Sequence, residues 1–377
     1  MNKDCYNSYL EIDLSKIGKN YLSVKASLGD NVKIIPVLKG NAYGLGAVQV
    51  AKQLLQEDNI ELFAVAQVRE ALELREAGIN QDILILGAVP YQQIEYAVDA
   101  GLQLTVFNLE TVQLIDSEAA KKDKCIDVHI KIESGLNRIG IRPGDDLQKL
   151  LDVLAGLSHV NLKGVFTHFI DAEIKDSKTA YKQLEIYNKA VKQIEDSGFE
   201  IPIKHVCNSG ASEWMKDAYF DAVRLGRRLY MDSRDTPFDK GTCGAVEEIA
   251  SWRTQIVNIH MVMPGETVGY DGIYMADKPV KVATVCVGYG DGLCRGFVEA
   301  KSKALINGQL ATYLGICMDQ CLLDVSNIDC KIGDEVTIFG YASDGSFLSS
   351  QSLAATVGNE GVYFTDILSN RVKRKYI

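Results

Sequence analysis

The chain has 377 residues, of which 47% are hydrophobic and 24% charged, the composition of an ordinary globular protein with a substantial core. Its net charge of −10 argues against nucleic acid and anionic membranes as partners, and no apolar run reaches the length of a membrane span. Nine cysteines without a C-x-x-C pair, and only five histidines, indicate a reduced, cytosolic protein with neither disulfides nor a metal site.

Up to about residue 225, short apolar runs alternate with segments of helical periodicity. The apolar runs predict eight strands, which begin near Val32, Leu62, Asp82, Leu102, Cys125, Val160, Ile203 and Phe220. The periodic segments predict helices at 47–56, 68–77, 94–100, 111–120, 146–155, 179–197 and 211–216. Eight strand–helix units favour an α/β fold of the (β/α)8 TIM-barrel type. An open doubly wound sheet is the less favoured alternative, because no G-x-G-x-x-G motif follows the first strand.

The predicted secondary structure changes after about residue 245. Short β-rich runs at 254–262, 280–287 and 335–339 are separated by glycine-containing turns, which indicates a second, mainly antiparallel β domain. We therefore predict a barrel domain at 1–245 and a C-terminal β domain at 246–377. A further strand at about 8–13, which precedes the eight barrel strands, is a candidate to pair with the β domain.

Polar clusters follow five of the predicted strands at the point where each strand ends. Lys39 ends the first strand and precedes a glycine-rich turn at 40–46, where a lysine can be desolvated and act as a nucleophile. The other four clusters lie at 133–138, 167–169, 205–210 and 224–227. Because catalytic groups of TIM barrels lie at the carboxyl ends of the strands, the five clusters predict a single site on one rim.

These clusters carry a family resemblance that covers essentially the whole chain. The chain resembles the alanine racemase family of pyridoxal-phosphate enzymes, and the shared motifs occur in family order: Leu10-Glu11-Ile12-Asp13-Leu14, Lys39-Gly40-Asn41-Ala42-Tyr43-Gly44, Lys131 with Ser134-Gly135 and Asn137-Arg138, Thr167-His168-Phe169, Asn208-Ser209, Arg224-Leu225-Gly226, Val268-Gly269-Tyr270, Val287-Gly288-Tyr289 and Cys317-Met318-Asp319-Gln320. The resemblance implies a TIM barrel, a C-terminal β domain, and a homodimer whose active sites are built from both subunits.

The resemblance also assigns roles around the cofactor. Lys39 would hold the cofactor and serve one face of the substrate, and Tyr270 of the partner subunit would serve the other face. His168 would stack on the cofactor ring and connect Tyr270 with Arg224, which would face the pyridine nitrogen. The remaining cofactor contacts are expected from Tyr43, Asn208, Ser209, Gly226 and Arg227.

Substrate contacts follow from the same resemblance. Arg138 would bind near the substrate carboxylate, since a guanidinium suits bidentate carboxylate binding. Met318 would assist from the other subunit, and Tyr289 would lie at the entrance. Lys131 corresponds to a lysine that many family members carry as a carbamate; the alternative is an unmodified lysine paired with a carboxylate.

The chain departs from the family pattern at several positions. Leu45 stands where the cofactor motif usually has histidine, Gly40 and Glu133 replace the usual Ala and Asp, and 314–316 lacks an entrance arginine. Asn370 replaces a family tyrosine that touches the phosphate and narrows the pocket beside the alanine methyl group. An asparagine leaves room and offers a hydrogen-bond partner, which suits a hydroxymethyl side chain.

In this last respect the chain is similar to the VanT-type serine racemases of vancomycin-resistant bacteria, which join a membrane-spanning half to a racemase half. This similarity implies racemisation of serine and alanine, D-amino-acid supply to cell-wall precursors, a role in vancomycin resistance, and a cytoplasmic domain cut from a membrane-anchored protein. The alternatives are an ordinary alanine racemase, a pyridoxal-phosphate-dependent decarboxylase on a related fold, and a non-catalytic carrier of the cofactor.

Overall fold

The computed structural model describes residues 5–230 and 246–377, and its N-terminal part is built on eight parallel strands. These strands are β2 Lys33–Pro36, β3 Leu62–Val65, β4 Asp82–Ile85, β5 Gln103–Val106, β6 Ile126–Lys131, β7 Val160–Phe166, β8 Ile203–His205 and β9 Ala222–Leu225. All eight predicted strands are present, and each begins within two residues of its predicted start. The apolar runs therefore located the strands correctly.

The eight strands close into a barrel. Strands β3 to β8 form one continuous parallel sheet, and β2 pairs with β9 in parallel. On one side, a parallel bridge joins Val37 to Ala64 just beyond β2 and β3. On the other side, the Asp221 amide donates to the Lys204 carbonyl at 3.1 Å, beside β8 and β9. The predicted TIM barrel is confirmed.

Amphipathic helices surround the barrel and turn their apolar faces to it. They are α1 Leu14–Leu28, α2 Ala47–Glu57, α3 Val68–Glu76, α4 Ile94–Asp99, α5 Leu109–Ala120, α6 Asp145–Leu154, α7 Lys178–Asp196 and the short α8 Arg227–Tyr230. The helix predicted at 211–216 is instead a pair of 3₁₀ turns, Ala211–Glu213 and Lys216–Ala218. The Ser212 carbonyl accepts hydrogen bonds from the Tyr219 hydroxyl and the Arg228 guanidinium, so it is not available to continue an α-helix.

The C-terminal part is a closed antiparallel barrel. Its strands, numbered on from the first barrel, are β10 Ala250–Val262, β13 Val280–Val285, β14 Lys303–Ile306, β15 Gln309–Ile316, β16 Cys321–Asp324, β17 Glu335–Tyr341, β18 Phe347–Leu348 and β19 Lys373–Tyr376. Strands β11 Thr267–Val268 and β12 Tyr274–Met275 form a separate two-stranded hairpin. Strands β10 and β17 also pair with each other, which closes the sheet. Two helices, α9 Ser350–Ala355 and α10 Gly361–Ile367, precede β19.

The N-terminal strand β1, Tyr9–Ile12, belongs to this second sheet. It pairs antiparallel with β10 and parallel with β19. One continuous apolar cluster includes side chains of both parts of the chain, such as Leu54 and Phe364. The predicted domain boundary between 245 and 246 falls at the edge of 231–245, which lies outside the described residues.

Candidate active site

The carboxyl ends of the barrel strands enclose a cavity of about 350 Å³. Nine residues selected from the sequence line it: Lys39, Tyr43, Lys131, Arg138, His168, Asn208, Ser209, Arg224 and Gly226. Seven further lining residues were not selected: Val37, Ala66, Leu86, Gly87, Ala88, Ile139 and Phe166. Most of these are apolar residues at or just after strand ends, so their position along the strands was the only signal that could have identified them.

Lys39 begins a left-handed turn, a conformation that L-residues rarely adopt. The φ angles are +61° at Gly40, +55° at Asn41, +53° at Ala42 and +55° at Tyr43. Each non-glycine residue in this conformation costs roughly 1–2 kcal/mol. Such strain persists only where surrounding contacts impose it, and these clusters of strain are typical of active sites.

Glu70 supplies one of the contacts that hold the turn. Its carboxylate accepts the Gly40 amide at 2.6 Å with one oxygen and the Ala66 amide at 2.8 Å with the other. Gly40 itself has little space, because a Cβ at this position would lie 2.8 Å from the Asp366 carboxylate on α10. An alanine, which is usual in the family at this position, would place its Cβ against Asp366 and would also have to adopt the positive φ. Glycine avoids both problems.

The pKa of Lys39 is lowered from its ordinary value, first because the cavity walls desolvate the ammonium group and second because Arg138 repels it. Asp366 and Glu70 act in the opposite direction. A lowered pKa increases the fraction of neutral amine, which is the nucleophilic form. Lys39 is nevertheless exposed where it lines the cavity, so the amine is accessible.

Arg224 is buried and four of its five N–H groups are bound to protein acceptors. Nη1 donates to the His205 carbonyl at 2.6 Å and approaches His205 Nδ1 at 3.1 Å. Nη2 donates to the carbonyls of Thr167 and Val206 at 2.7 and 3.0 Å. Among the described residues Nε–H has no acceptor, and since Arg224 lines the cavity this donor is available to a ligand.

Burial lowers the pKa of Arg224 to about 10, so the guanidinium remains protonated near neutrality. His168 lies beside it, with Nδ1 at 3.4 Å from Arg224 Nη2. Burial and the neighbouring Arg224 lower the pKa of His168, which keeps this imidazole neutral. No described carboxylate pairs with Arg224, so a cation, not an acid, faces this side of the cavity.

Another part of the cavity wall, formed by Tyr43, Ser209 and Gly226, is a cradle suited to an anion. The Ser209 hydroxyl lies 3.2 Å from the Gly226 amide and 3.3 Å from the Arg228 amide, at the start of α8. Gly226 packs so closely on the Tyr43 hydroxyl that any Cβ would collide with it. Glycine thus lets backbone N–H groups and a hydroxyl converge, as anion sites require.

Lys131 and Arg138 add two cations to the wall. Lys131 is 3% exposed, and its Nζ lies 5.5 Å from the centre of the Phe166 ring. Desolvation, followed by repulsion from Arg138 and Arg224, lowers the pKa of Lys131 to about 8. The Arg138 guanidinium has no hydrogen-bond acceptor among the described residues, so it is available to a carboxylate.

Five predicted site residues do not line this cavity: Arg227, Tyr270, Tyr289, Met318 and Asn370. Arg227 is paired with Glu173 and Glu360 instead. Tyr270 is 71% exposed in the turn of the β11–β12 hairpin. Tyr289 and Met318 are exposed neighbours, since the Gly290 amide donates to the Met318 carbonyl at 2.9 Å. Leu45 is buried in the apolar core, away from the cavity.

The lining fits pyridoxal phosphate. The Tyr43–Ser209–Gly226 cradle suits the phosphate, Lys39 suits the carbonyl carbon, and the open Nε–H of Arg224 suits an unprotonated ring nitrogen. The residues therefore match the phosphate, the carbonyl group and the ring nitrogen of the cofactor. Four cations around one cavity also suit a ligand that carries both a phosphate and a carboxylate.

Comparisons with known proteins agree with this geometry. A family model described as "Alanine racemase, N-terminal domain" matches residues 12–234, and one described as "Alanine racemase, C-terminal domain" matches residues 249–376. The chain is 35% identical to alanine racemase 2 of Caldanaerobacter subterraneus over 98% of this chain and 94% of that protein. It is also 35% identical to the alanine racemase of Clostridium perfringens, over 98% and 95% of the two chains.

Solved structures show the same likeness. The alanine racemase of Clostridium difficile 630 superposes with a TM-score of 0.90 at 33% identity, covering 100% of this chain and 97% of that chain. The alanine racemase of Bacillus anthracis with bound L-Ala-P superposes with a TM-score of 0.92 at 30% identity, covering 100% and 96%. The similarity therefore extends over both parts of the fold.

The expectation of a cytoplasmic domain belonging to a membrane-anchored protein is wrong. The relatives are alanine racemases, and this chain accounts for 94% and 95% of their own lengths, which leaves no membrane-spanning half in them. Within 5–230 and 246–377, no helix has the length and apolarity needed to cross a bilayer. Asn370, the residue that led to the expectation, does not line the cavity.

Proposed function

We propose that this chain, which belongs to the alanine racemase family and is a pyridoxal-phosphate-dependent amino-acid racemase, interconverts L- and D-alanine. The named relatives at 35% identity are alanine racemases, which favours the alanine alternative over serine. None of them supports a VanT-type serine racemase, and we do not propose a role in vancomycin resistance.

The proposal rests on one observation: Lys39 and Arg224 line the same cavity, and the Nε–H of Arg224 has no described acceptor. Bound pyridoxal phosphate supplies an electron sink that makes the proton on the substrate α-carbon removable. Arg224 donates to the ring nitrogen and so keeps it unprotonated, which weakens that sink. A weaker sink favours proton transfer over decarboxylation, so the cation at this position argues against the decarboxylase alternative.

Racemisation needs a base on each face of the substrate. Lys39 has a lowered pKa and an open approach, which suit it to hold and move a proton on one face. We assign the other face to Tyr270 of the partner subunit. Arg138 binds the substrate carboxylate, and Met318 of the partner subunit contributes backbone groups beside it.

The proposal of a homodimer is supported by the positions at which the β domain exposes large apolar side chains. Tyr270, Met275 and Met318 are 71%, 65% and 52% exposed, and Tyr289 is 40% exposed. Exposed apolar groups in such number mark an interaction surface. Since the residues assigned to the second face of the substrate lie on this surface and do not line their own chain's cavity, a second copy of the chain is the partner that we propose.

The substrate proposal is tested by chiral detection of the products from L-alanine and L-serine in parallel, with purified protein and added pyridoxal phosphate. We expect D-alanine to form faster than D-serine by about tenfold or more, the discrimination that one added hydroxyl allows in a pocket not built to bind it. D-serine forming as fast as D-alanine would overturn the alanine proposal and restore the expectation based on Asn370.

The same assay tests Asn370. Because Asn370 does not line the cavity, we expect Asn370→Tyr to leave the ratio of the serine rate to the alanine rate unchanged; a lower ratio would place this side chain beside the substrate. Asn370→Ala is the matched control, since it keeps the space and removes the amide. An unchanged ratio in both variants would remove Asn370 from substrate selection.

We also propose that Lys131 is carbamylated. The neutral amine forms an N–C bond with carbon dioxide and loses a proton, leaving an anion. Lys39, Arg138 and Arg224 repel the Lys131 ammonium group, so they would stabilise an anion in its place. This anion would orient the Arg138 guanidinium, which has no other described acceptor.

Carbamylation of Lys131 has a defined pH dependence. With a pKa of about 8, the reactive neutral amine grows from roughly a tenth of the population at pH 7 to the majority above pH 8. We expect a carbamate signal in carbon NMR with labelled bicarbonate that increases over this range and is absent in Lys131→Ala. Lys163→Ala, on the neighbouring strand, should keep the signal; a signal that survives Lys131→Ala would contradict the assignment.

A further inference from the structure

A line of hydrogen bonds runs through the barrel from Arg224 to the opposite end. Arg224 Nη1 lies 3.1 Å from His205 Nδ1, and His205 Nε2 lies 2.9 Å from His129 Nδ1. His129 Nε2 lies 2.9 Å from Gln103 Oε1, and Gln103 Nε2 donates to Asp82 Oδ2 at 2.9 Å. Each residue is on a different barrel strand, from β9 through β8, β6 and β5 to β4.

The two ends fix the direction of every bond in this line. A guanidinium only donates, so His205 Nδ1 must accept and its proton must be on Nε2. The same reasoning puts the proton of His129 on Nε2, pointing at Gln103. A carboxylate only accepts, so Gln103 must donate to Asp82 and therefore accept from His129. Both ends thus require the same neutral tautomer in both histidines.

Burial supports these neutral tautomers. His129, His205 and Gln103 are 0%, 0% and 3% exposed. Desolvation, followed by repulsion from Lys163 and Arg224, lowers the pKa of His129 to about 3, and desolvation and Arg224 also lower the pKa of His205. Each residue in the line turns its acceptor atom towards Arg224 and its donor atom towards Asp82, so the oriented dipoles stabilise a buried cation that has no carboxylate beside it.

We propose that His205, His129 and Gln103 are positioning residues that connect Arg224 to Asp82 and hold the guanidinium with its Nε–H towards the ring nitrogen of the cofactor. The inference rests on the proposed function for the role of Arg224. Asp82 is exposed at the amino end of β4, where Arg75 also faces it. A surface carboxylate at the bottom of the barrel therefore influences the site at the top.

The alternative is that the line only satisfies buried polar groups. Two variants separate the readings. Asp82→Asn removes the negative charge but keeps an oxygen that Gln103 can donate to. Gln103→Leu keeps a similar volume but breaks the connection between His129 and Asp82. Glu61→Gln is the matched control, because Glu61 is an exposed carboxylate at the same end of the barrel, pairs with Lys33, and is not part of the line.

The experiment uses the cofactor-loaded protein and three readouts. Nitrogen-15 NMR of labelled histidines should show His129 and His205 as neutral Nε2–H tautomers from pH 5 to pH 9. In Asp82→Asn, both Nε2–H resonances and the pH midpoint of the cofactor's visible absorption should shift. The kcat for alanine should fall about threefold to tenfold at unchanged KM, and Gln103→Leu should show larger changes.

The outcomes are separable from those of the proposed function. An Nδ1–H tautomer or an imidazolium at either position would overturn the inference, as would an Asp82→Asn variant indistinguishable from Glu61→Gln. If Gln103→Leu fails to fold, Asp82→Asn still decides, because Asp82 is at the surface. Absence of racemisation would overturn the proposed function, while the tautomers and absorption shifts would still report on the line.

Discussion

Replacing Lys39 by alanine should abolish racemisation and leave the protein unable to hold pyridoxal phosphate covalently. The expected loss in kcat is about 10³-fold or more, because the variant lacks both the nucleophile that binds the cofactor and a positioned base. Added pyridoxal phosphate should not restore activity. The phosphate cradle of Tyr43, Ser209 and Gly226 is untouched, so weak, non-covalent binding of the cofactor should persist.

The measurement combines the rate assay with mass spectrometry after borohydride reduction, which makes an imine bond permanent. In the unmodified protein the cofactor mass should appear on the peptide that contains Lys39, and in Lys39→Ala it should appear on none. Lys33→Ala is the matched control, since Lys33 lies at the other end of the same strand and pairs with Glu61. Retention of a tenth of the activity by Lys39→Ala would contradict the assignment.

Much of the cavity was predictable because of one geometric rule. Side chains at the carboxyl ends of parallel barrel strands meet on one rim, so Lys39, His168, Ser209 and Arg224 could be grouped before any contact was known. The strand positions themselves came from apolar runs, and these runs are unambiguous when both faces of a strand are buried. The barrel fold and the grouping of these site residues on one rim could therefore be predicted from local sequence patterns alone.

The parts that escaped prediction depend on contacts between distant residues. No local signal marks 40–43 as left-handed, because the conformation is imposed by Glu70 and by the packing of α10. His129 and Gln103 looked like ordinary strand residues, and only barrel closure aligns them with His205. A one-residue change of register in any of these strands would have turned the polar groups outwards.

Tyr270 presents the opposite case, in which the sequence motif was clear but the side chain does not line the cavity of its own chain. The tyrosine is held in a defined turn, with positive φ at Gly269, Asp271 and Gly272, yet its side chain is 71% exposed. Its exposure is consistent with the role that we propose for it at the cavity of a partner subunit. In a closed two-fold dimer the same surface is repeated, so each chain can both give and receive such a residue.

Replacing Tyr270 by phenylalanine should lower racemisation by about 10²-fold to 10⁴-fold, the usual contribution of one positioned acid–base group. Both directions of the reaction must lose efficiency equally, because the variant cannot change the equilibrium between mirror-image products. Exchange of the α-proton with deuterated solvent should continue for one enantiomer only, since Lys39 still serves its face. Loss of exchange for both enantiomers would show a collapsed site instead.

Mixing tests whether Tyr270 acts across the dimer. Lys39→Ala and Tyr270→Phe are each inactive alone, but a mixed dimer contains one site with both native residues and one site with neither. Random pairing from co-expression makes half of the dimers mixed, so about a quarter of the native activity should return.

Co-expressing Lys39→Ala with the Lys39→Ala/Tyr270→Phe double variant is the control and should restore none. If the first mixture also stays inactive although mixed dimers form, each chain must use its own tyrosine, and the shared site is wrong. Recovery near a quarter would instead assign every racemising site to two chains, and would explain why Tyr270 does not line the cavity of its own chain.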